Sequence, residues 1–166
     1  DEWVAFVSDV VRSPEKYEAY DNIAVDNISE LFRSALSDLG TKGKNDGVPN
    51  QGDYQKSDFV LLRSLRAFNN LKTRKVLTAW ETTDQYTSPD GQSFTRSMPD
   101  IRSKILNNFL GLVDVAARLV VTKDENGKEK RGFILQPTQS VYAKNRLDDR
   151  KGCLVHELIK ESDADV

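Results

Sequence analysis

Apolar residues recur at helical spacing in three segments, which predict three amphipathic helices. The first helix is predicted to end near Ser13-Pro14, because proline cannot occupy a helix interior. The second is predicted to begin after Asn27, an N-cap residue with Glu30 three positions later, and to end at Gly40. The apolar positions are Trp3, Val4, Phe6, Val7, Val10 and Val11; Ile28, Leu31, Phe32, Ala35, Leu36 and Leu39; and Val60, Leu61, Leu65, Phe68 and Leu71.

A loop rich in Gly, Asn and Asp is predicted at residues 41–53, with the third helix capped near Asp53. Two short apolar runs, 23–25 and 76–80, are bounded by polar residues and predict buried strands. The resulting order of strand, helix, helix and strand is typical of an α/β fold with a parallel sheet.

The second half of the chain predicts two β-hairpins. The first joins 85–87 to 93–95 through a turn that contains Asp90-Gly91, a strong hairpin signal. Pro99 is predicted to open a helix that runs to Leu110. The second hairpin joins 115–122 to 132–136 around a charged turn. The chain is expected to form one domain over residues 1–160, followed by a frayed tail at 161–166.

Composition narrows the function classes. Lys and Arg total 24 against 26 Asp and Glu, a formal charge of −2 that excludes a histone-like polycation but leaves room for a local basic site. The apolar runs are too short to span a bilayer, so no membrane partner is expected. Cys153 and His156 are the sole cysteine and histidine, which argues against a disulfide or a zinc site and for a reducing cytoplasm. Both are interpreted as packing residues.

Polar residues at the ends of the two predicted parallel strands are the first candidates for chemistry. Asp26 follows the first strand, at the edge of the sheet where α/β proteins bind ligands, and its carboxylate suits Mg²⁺. The alternative is an acid that merely precedes the next helix. The end of the second predicted strand carries Thr78, Trp80 and Glu81, and a polar group there would face the same crevice. The alternative places Trp80 in the core and Glu81 in solvent.

Lys144 and Arg146 lie in a polar segment after the second hairpin. A lysine and an arginine separated by one residue suit a phosphate, since Arg offers a fork of donors and Lys a point charge. The alternative is a solvated basic turn.

The segments YDNIAVDNISELFRSAL, VLTAWE, GLVDVAARLVV and QPTQSVYAKNR resemble phage nucleotide-binding proteins, which are RecA-like P-loop ATPases of phage recombination modules related to single-strand annealing proteins. The resemblance runs from about Tyr20 to about Asp148. It implies a RecA-like three-layer α/β core with a mainly parallel sheet and added β-hairpins. It also implies that the protein is located in the cytoplasm of a phage-infected or lysogenic bacterial host.

The resemblance further implies roles for individual residues. Asp26 would be the Walker B acid of an ATP and Mg²⁺ site that includes Asn27 and Thr78. Glu81 would be the polar group after the sensor strand, although Trp80 stands where a smaller or polar residue is expected. Lys144 and Arg146 match a pair that reaches the γ-phosphate of a neighbouring subunit, which implies a homo-oligomeric ring or filament.

One departure from the family pattern is large. No G-x-x-x-x-G-K-[ST] occurs in these residues, and residues 40–44 have the glycine and lysine content without the spacing. The chain is therefore expected to be the C-terminal two-thirds of such an ATPase core, truncated at the N-terminus and inactive by itself.

Single-stranded DNA is the expected partner. Arg96, Arg102 and Lys104 are the candidate phosphate contacts, and Tyr86 and Phe94 could stack on bases. The alternative has these two aromatics pairing across the hairpin. The loop at 41–53 is a second candidate.

Three functions remain open from the sequence. The first is an ATPase core acting on single-stranded DNA in phage recombination. The second is a nucleotide-independent module that binds DNA or protein. The third, a metal nuclease built from Asp26, Glu81 and Lys144, is disfavoured by the absence of an E-x-K pair.

Overall fold

A computed structural model describes residues 2–155 and 157. The chain divides into two compact units, unit 1 (Asp1–Trp80 with Asp100–Leu112) and unit 2 (Glu81–Pro99 with Val113–Val166). Among the described residues, no helix has the length and apolar character needed to cross a membrane. The elements in chain order are α1 Glu2–Arg12, α2 Pro14–Glu18, β1 Asn22–Val25, α3 Ile28–Lys42, α4 Gln51–Asn69, β2 Arg74–Leu77, β3 Glu81–Thr87, β4 Ser93–Pro99, α5 Ser103–Leu112, β5 Val115–Ala116, β6 Arg118–Lys123, β7 Glu129–Ile134, β8 Lys144–Asn145 and β9 Gly152–Leu154.

The helix starts in unit 1 follow from local capping chemistry. The Asn27 side chain accepts a 2.8 Å hydrogen bond from the Glu30 amide, which confirms the predicted cap of α3. Asn50 and Asp53 form a reciprocal capping box, so α4 begins at Gln51. The predicted end of α3 at Gly40 is wrong, because the helix continues to Lys42.

Gly40 serves close packing instead of helix termination. It is buried, and a Cβ at this position would lie 2.6 Å from the Gly47 carbonyl oxygen and 2.9 Å from the Pro49 ring. Only glycine allows the loop after α3 to approach the helix this closely.

The strands β1 and β2 pair in parallel, as predicted, and the structure places Val25 opposite Leu77. The prediction that both are fully buried is wrong, because exposure alternates along each strand. Their inner residues pack on the cluster of Val7, Val10, Phe68 and Leu71, whereas Val76 on the outer face is 46% exposed. Within the described residues, then, the core covers one face of this two-stranded sheet.

Antiparallel pairing organises unit 2. β3 and β4 form the first predicted hairpin, and Gly91 adopts a φ of +84° in its turn. The strands β6, β7 and β9 form a three-stranded sheet in that order, and β5 pairs with β8. The prediction that Pro99 opens a helix is wrong: Pro99 ends β4, a position where a proline is tolerated, and α5 begins at Ser103.

The mixture of helices and strands is the α/β composition that the sequence predicts. The expectation of a mainly parallel sheet is wrong, because among the described strands only β1 and β2 pair in parallel and the other strand pairs are antiparallel. Half-buried Cys153 lies in β9, opposite Phe133 in β7. His156 and the predicted tail at 161–166 lie outside the described residues.

Candidate functional site

Asp26 lies directly after β1, at the carboxyl end of the parallel pair. The Thr78 hydroxyl donates a 2.6 Å hydrogen bond to Asp26 Oδ1, and both side chains are exposed. The peptide bond between Asp26 and Asn27 is cis. The structure therefore brings together the three residues that the sequence placed in the nucleotide site, Asp26, Asn27 and Thr78.

Hydrogen bonds hold the segment 78–80 along the turn that carries Asp26. The Thr78 amide donates to the Val25 carbonyl at 3.1 Å, and the Ile28 amide donates to the Thr78 carbonyl at 2.8 Å. The Trp80 amide donates to the hydroxyl oxygen of buried Ser29 at 3.0 Å. These contacts fix the Thr78 backbone relative to the turn. The Thr78 hydroxyl is therefore held in a position from which it can donate to Asp26.

Trp80 is 42% exposed, so the alternative that placed it in the core is wrong. The Arg33 guanidinium lies 4.6 Å from the Trp80 ring centroid and pairs with Asp100 at 2.5 Å. The Asp100 amide donates to the Trp80 carbonyl at 2.7 Å. An aromatic ring and a cation thus lie beside the Thr78 segment in unit 1.

Glu81 occupies a different setting from the predicted one. β2 ends at Leu77, and Glu81 is the first residue of the antiparallel strand β3 in unit 2. Both carboxylate oxygens accept bonds of 2.9 Å from Arg118, and the Ser97 hydroxyl donates at 3.0 Å. The Arg118 guanidinium is the main reason that the pKa of Glu81 is lowered. Glu81 is therefore a carboxylate held by hydrogen bonds within unit 2.

Lys144 and Arg146 converge on one backbone oxygen. The Lys144 ammonium donates to the Val113 carbonyl at 2.8 Å, and Arg146 donates to the same oxygen at 3.1 Å and to Asp114 Oδ1 at 3.0 Å. Burial and the nearby Arg146 charge lower the pKa of Lys144. Both cations are thus held by oxygen atoms of Val113 and Asp114 within unit 2.

The candidate DNA contacts fall in separate settings. In unit 2, Arg96 pairs with Asp84 at 3.1 Å and lies within 4.9 Å of the Tyr86 ring and 5.1 Å of the Tyr142 ring. Tyr86 pairs directly with Phe94 across the hairpin, as the alternative predicted. Arg102 and Lys104 lie in unit 1 beside α4.

The donor set at Asp26 suits a magnesium ion that keeps most of its waters. Asp26 Oδ2 has no hydrogen-bond partner among the described residues, and they hold no cluster of three His, Cys, Asp or Glu that could enclose a metal by itself. Mg²⁺ commonly takes one or two carboxylates together with waters and substrate phosphates. Asp26 could hold such an ion directly or through a water, when phosphates supply the remaining charge.

A family model described as an AAA domain matches residues 1–147. The chain belongs to the AAA domain family. No curated protein and no solved structure matches it. An AAA-type domain indicates nucleotide-binding, ATPase-like function, usually with Mg²⁺.

Sequence reasoning missed several residues of this AAA domain. Ser29, Arg33 and Arg118 bond to partners between 37 and 67 positions away in the chain, and no local pattern reveals such pairs. Tyr54 and Asp58 carry a weak signal, because they recur at helical spacing on α4 among polar residues.

Proposed function

We propose that this AAA domain is part of a RecA-like ATPase that acts on single-stranded DNA in phage recombination. The observation that carries the proposal is the 2.6 Å contact between the Thr78 hydroxyl and Asp26, at the carboxyl end of two parallel strands. Ligands of α/β sheets bind at this edge. A metal-nucleotide site there needs a carboxylate for the metal ion, which Asp26 offers, and a polar group after the neighbouring strand, which Thr78 offers.

In the proposed mechanism, Asp26 holds the metal side of the site. Asp26 would hold Mg²⁺ through Oδ2, directly or by accepting a hydrogen bond from one of the waters of the ion, while the Thr78 hydroxyl donates to Oδ1. Bound Mg²⁺ would neutralise charge on the phosphates of ATP. The chain contains no P-loop motif, so the backbone cradle for the β- and γ-phosphates is assigned to residues outside this sequence.

Lys144 and Arg146 are the proposed trans-acting pair. Both already point at the Val113 carbonyl oxygen, which could stand in for a phosphate oxygen. In the proposed ring or filament they would leave this oxygen and contact the γ-phosphate of ATP bound by a neighbouring subunit. An arginine finger of this type contributes about 10³–10⁵ in rate.

The test is ATP hydrolysis by the natural gene product. Asp26→Asn keeps the shape of the side chain and removes its charge, so turnover should fall by about 10²-fold or more because one charge-stabilising contact is lost. Asp21→Asn is the matched control: Asp21 is an exposed acid just before the opposite end of β1. That variant should hydrolyse ATP like the wild type.

Undiminished hydrolysis in Asp26→Asn would contradict the assignment of the metal site. Equal losses in both variants would indicate a general charge effect.

The missing P-loop motif also favours one alternative, a module that binds DNA or protein without nucleotide. It predicts DNA binding that ATP does not change, whereas the ATPase proposal predicts stimulation or release by ATP. The nuclease alternative is weaker, since Arg118 binds both oxygens of Glu81.

A further inference from the structure

Unit 1 carries a cavity of about 350 Å³ between the first turns of α4 and the start of α5. One wall is a stripe on α4 with the spacing i, i+3, i+4 and i+7, which places its members on one helix face. The other wall comes from the chain that enters α5. The lining residues are Gln51, Tyr54, Gln55, Asp58, Arg102 and Lys104.

A cation–π contact lies in this cavity. The Arg102 guanidinium carbon lies 4.7 Å from the Tyr54 ring centroid. Arg102 Nη1 is fixed by Asp58 Oδ2 at 2.6 Å and by the Tyr54 carbonyl at 3.2 Å. Tyr54 remains 37% exposed. Planar bases stack on both aromatic rings and arginine planes, so this pair suits a nucleobase.

The remaining lining residues suit the polar parts of a nucleotide. The Gln51 and Gln55 amides each offer a donor and an acceptor to a base edge. Lys104 is exposed and has no carboxylate within ion-pair distance among the described residues, so its charge is available to a phosphate. Asp58 adds no net negative charge, because Arg102 pairs with it.

We propose that this cavity binds one nucleotide unit of single-stranded DNA, with the base stacked on the exposed Tyr54 ring beside Arg102 and the phosphate at Lys104. The inference rests on the proposed function and adds to it the place where DNA is held. A strand is favoured over a free nucleotide because Gln51, Tyr54, Gln55 and Lys104 are all exposed, whereas sites for small ligands bury most of the ligand surface.

The test measures binding of fluorescein-labelled oligothymidylate to the natural gene product by fluorescence anisotropy. Tyr54→Ala should weaken binding about ten-fold, the usual effect of removing one stacking aromatic, whereas Tyr54→Phe should retain it. Phe59→Ala is the matched control, because Phe59 is a 66% exposed aromatic on the same helix that does not line the cavity. A photoreactive 5-iododeoxyuridine oligonucleotide should cross-link to the peptide that contains Tyr54.

Three outcomes would overturn the inference. Wild-type binding that Tyr54→Ala leaves unchanged would reject this cavity while leaving the proposed function standing. Thymidine 5′-phosphate is added at the same total concentration of nucleotide units as the oligonucleotide. If it displaces the oligonucleotide, the cavity binds a free nucleotide and not a strand. Absence of DNA binding by the wild type would reject both the cavity and the DNA part of the proposed function, and ATP hydrolysis would still be tested separately by Asp26→Asn.

Discussion

Replacing Ser29 by alanine removes the hydroxyl that holds the Trp80 amide beside the candidate site. Ser29 is 1% exposed, and its oxygen accepts the Trp80 N–H at 3.0 Å. A partly buried amide left without a partner costs about 1–2 kcal/mol. Ser29 is the second residue of α3, where the helix-interior propensity of alanine adds little. The loss in unfolding free energy should therefore be about 1–2 kcal/mol.

The matched control is Ser34→Ala, the same substitution on the same helix. Ser34 is exposed, and its hydroxyl bonds only to Glu30 at 3.0 Å among the described residues. In Ser34→Ala, the loss of a solvent-exposed hydrogen bond and the gain in helix propensity should nearly cancel in the free energy of unfolding. The difference between the two variants therefore isolates the Ser29–Trp80 bond.

Urea unfolding followed by tryptophan fluorescence measures both variants. The chain has two tryptophans, Trp3 and Trp80, and both lie in unit 1, so the signal reports the unit that contains the substitution. A Ser29→Ala midpoint equal to that of Ser34→Ala, at an unchanged slope, would refute the argument. It would mean that water replaces the hydroxyl and that Ser29 does not hold the 78–80 segment.

Two further predictions concern charged groups in unit 2. Hydrogen bonds from Arg150 lower the pKa of Asp148 to about 2. The native state should therefore lose this stabilising contribution as pH falls from about 4 through 2. Carboxyl NMR titration should show this low pKa, and Arg150→Ala should raise it toward the ordinary value. Arg118→Ala should raise the pKa of Glu81 in the same titration, since Arg118 is the main cause of its lowering, and an unmoved Glu81 would contradict the described pairing.

Local chemistry explains which elements the sequence could predict. The Asn27 cap depends on Glu30 three residues away, and the hairpin turn depends on Asp90-Gly91, so short segments contain all the information needed. Asp26 and Thr78 could be placed together because each was predicted near the carboxyl end of a strand of a parallel pair, and these ends meet at one edge of the sheet.

The predictions that failed depend on contacts between distant residues. Gly40 resembles a helix stop in sequence, yet its role is set by the approach of Gly47 and Pro49. The charged residues Arg74 and Lys75 gave no strand signal, and they are in β2 because they pair with Asn22 and Ile23. Tertiary pairing thus shifted the strand toward the N-terminus and left Trp80 exposed beyond its end.

Paramagnetic broadening by Mn²⁺ in the presence of ATP tests the central claim most directly. Mn²⁺ takes oxygen ligands as Mg²⁺ does, and it broadens NMR signals of nuclei near the bound ion. In the natural gene product, the amide signals of Asp26, Asn27 and Thr78 should broaden first and only when ATP is present, and Asp26→Asn should abolish the effect. Broadening centred on other acidic residues, or the same broadening in Asp26→Asn, would contradict the assignment of Asp26 as the metal-side carboxylate of an ATPase.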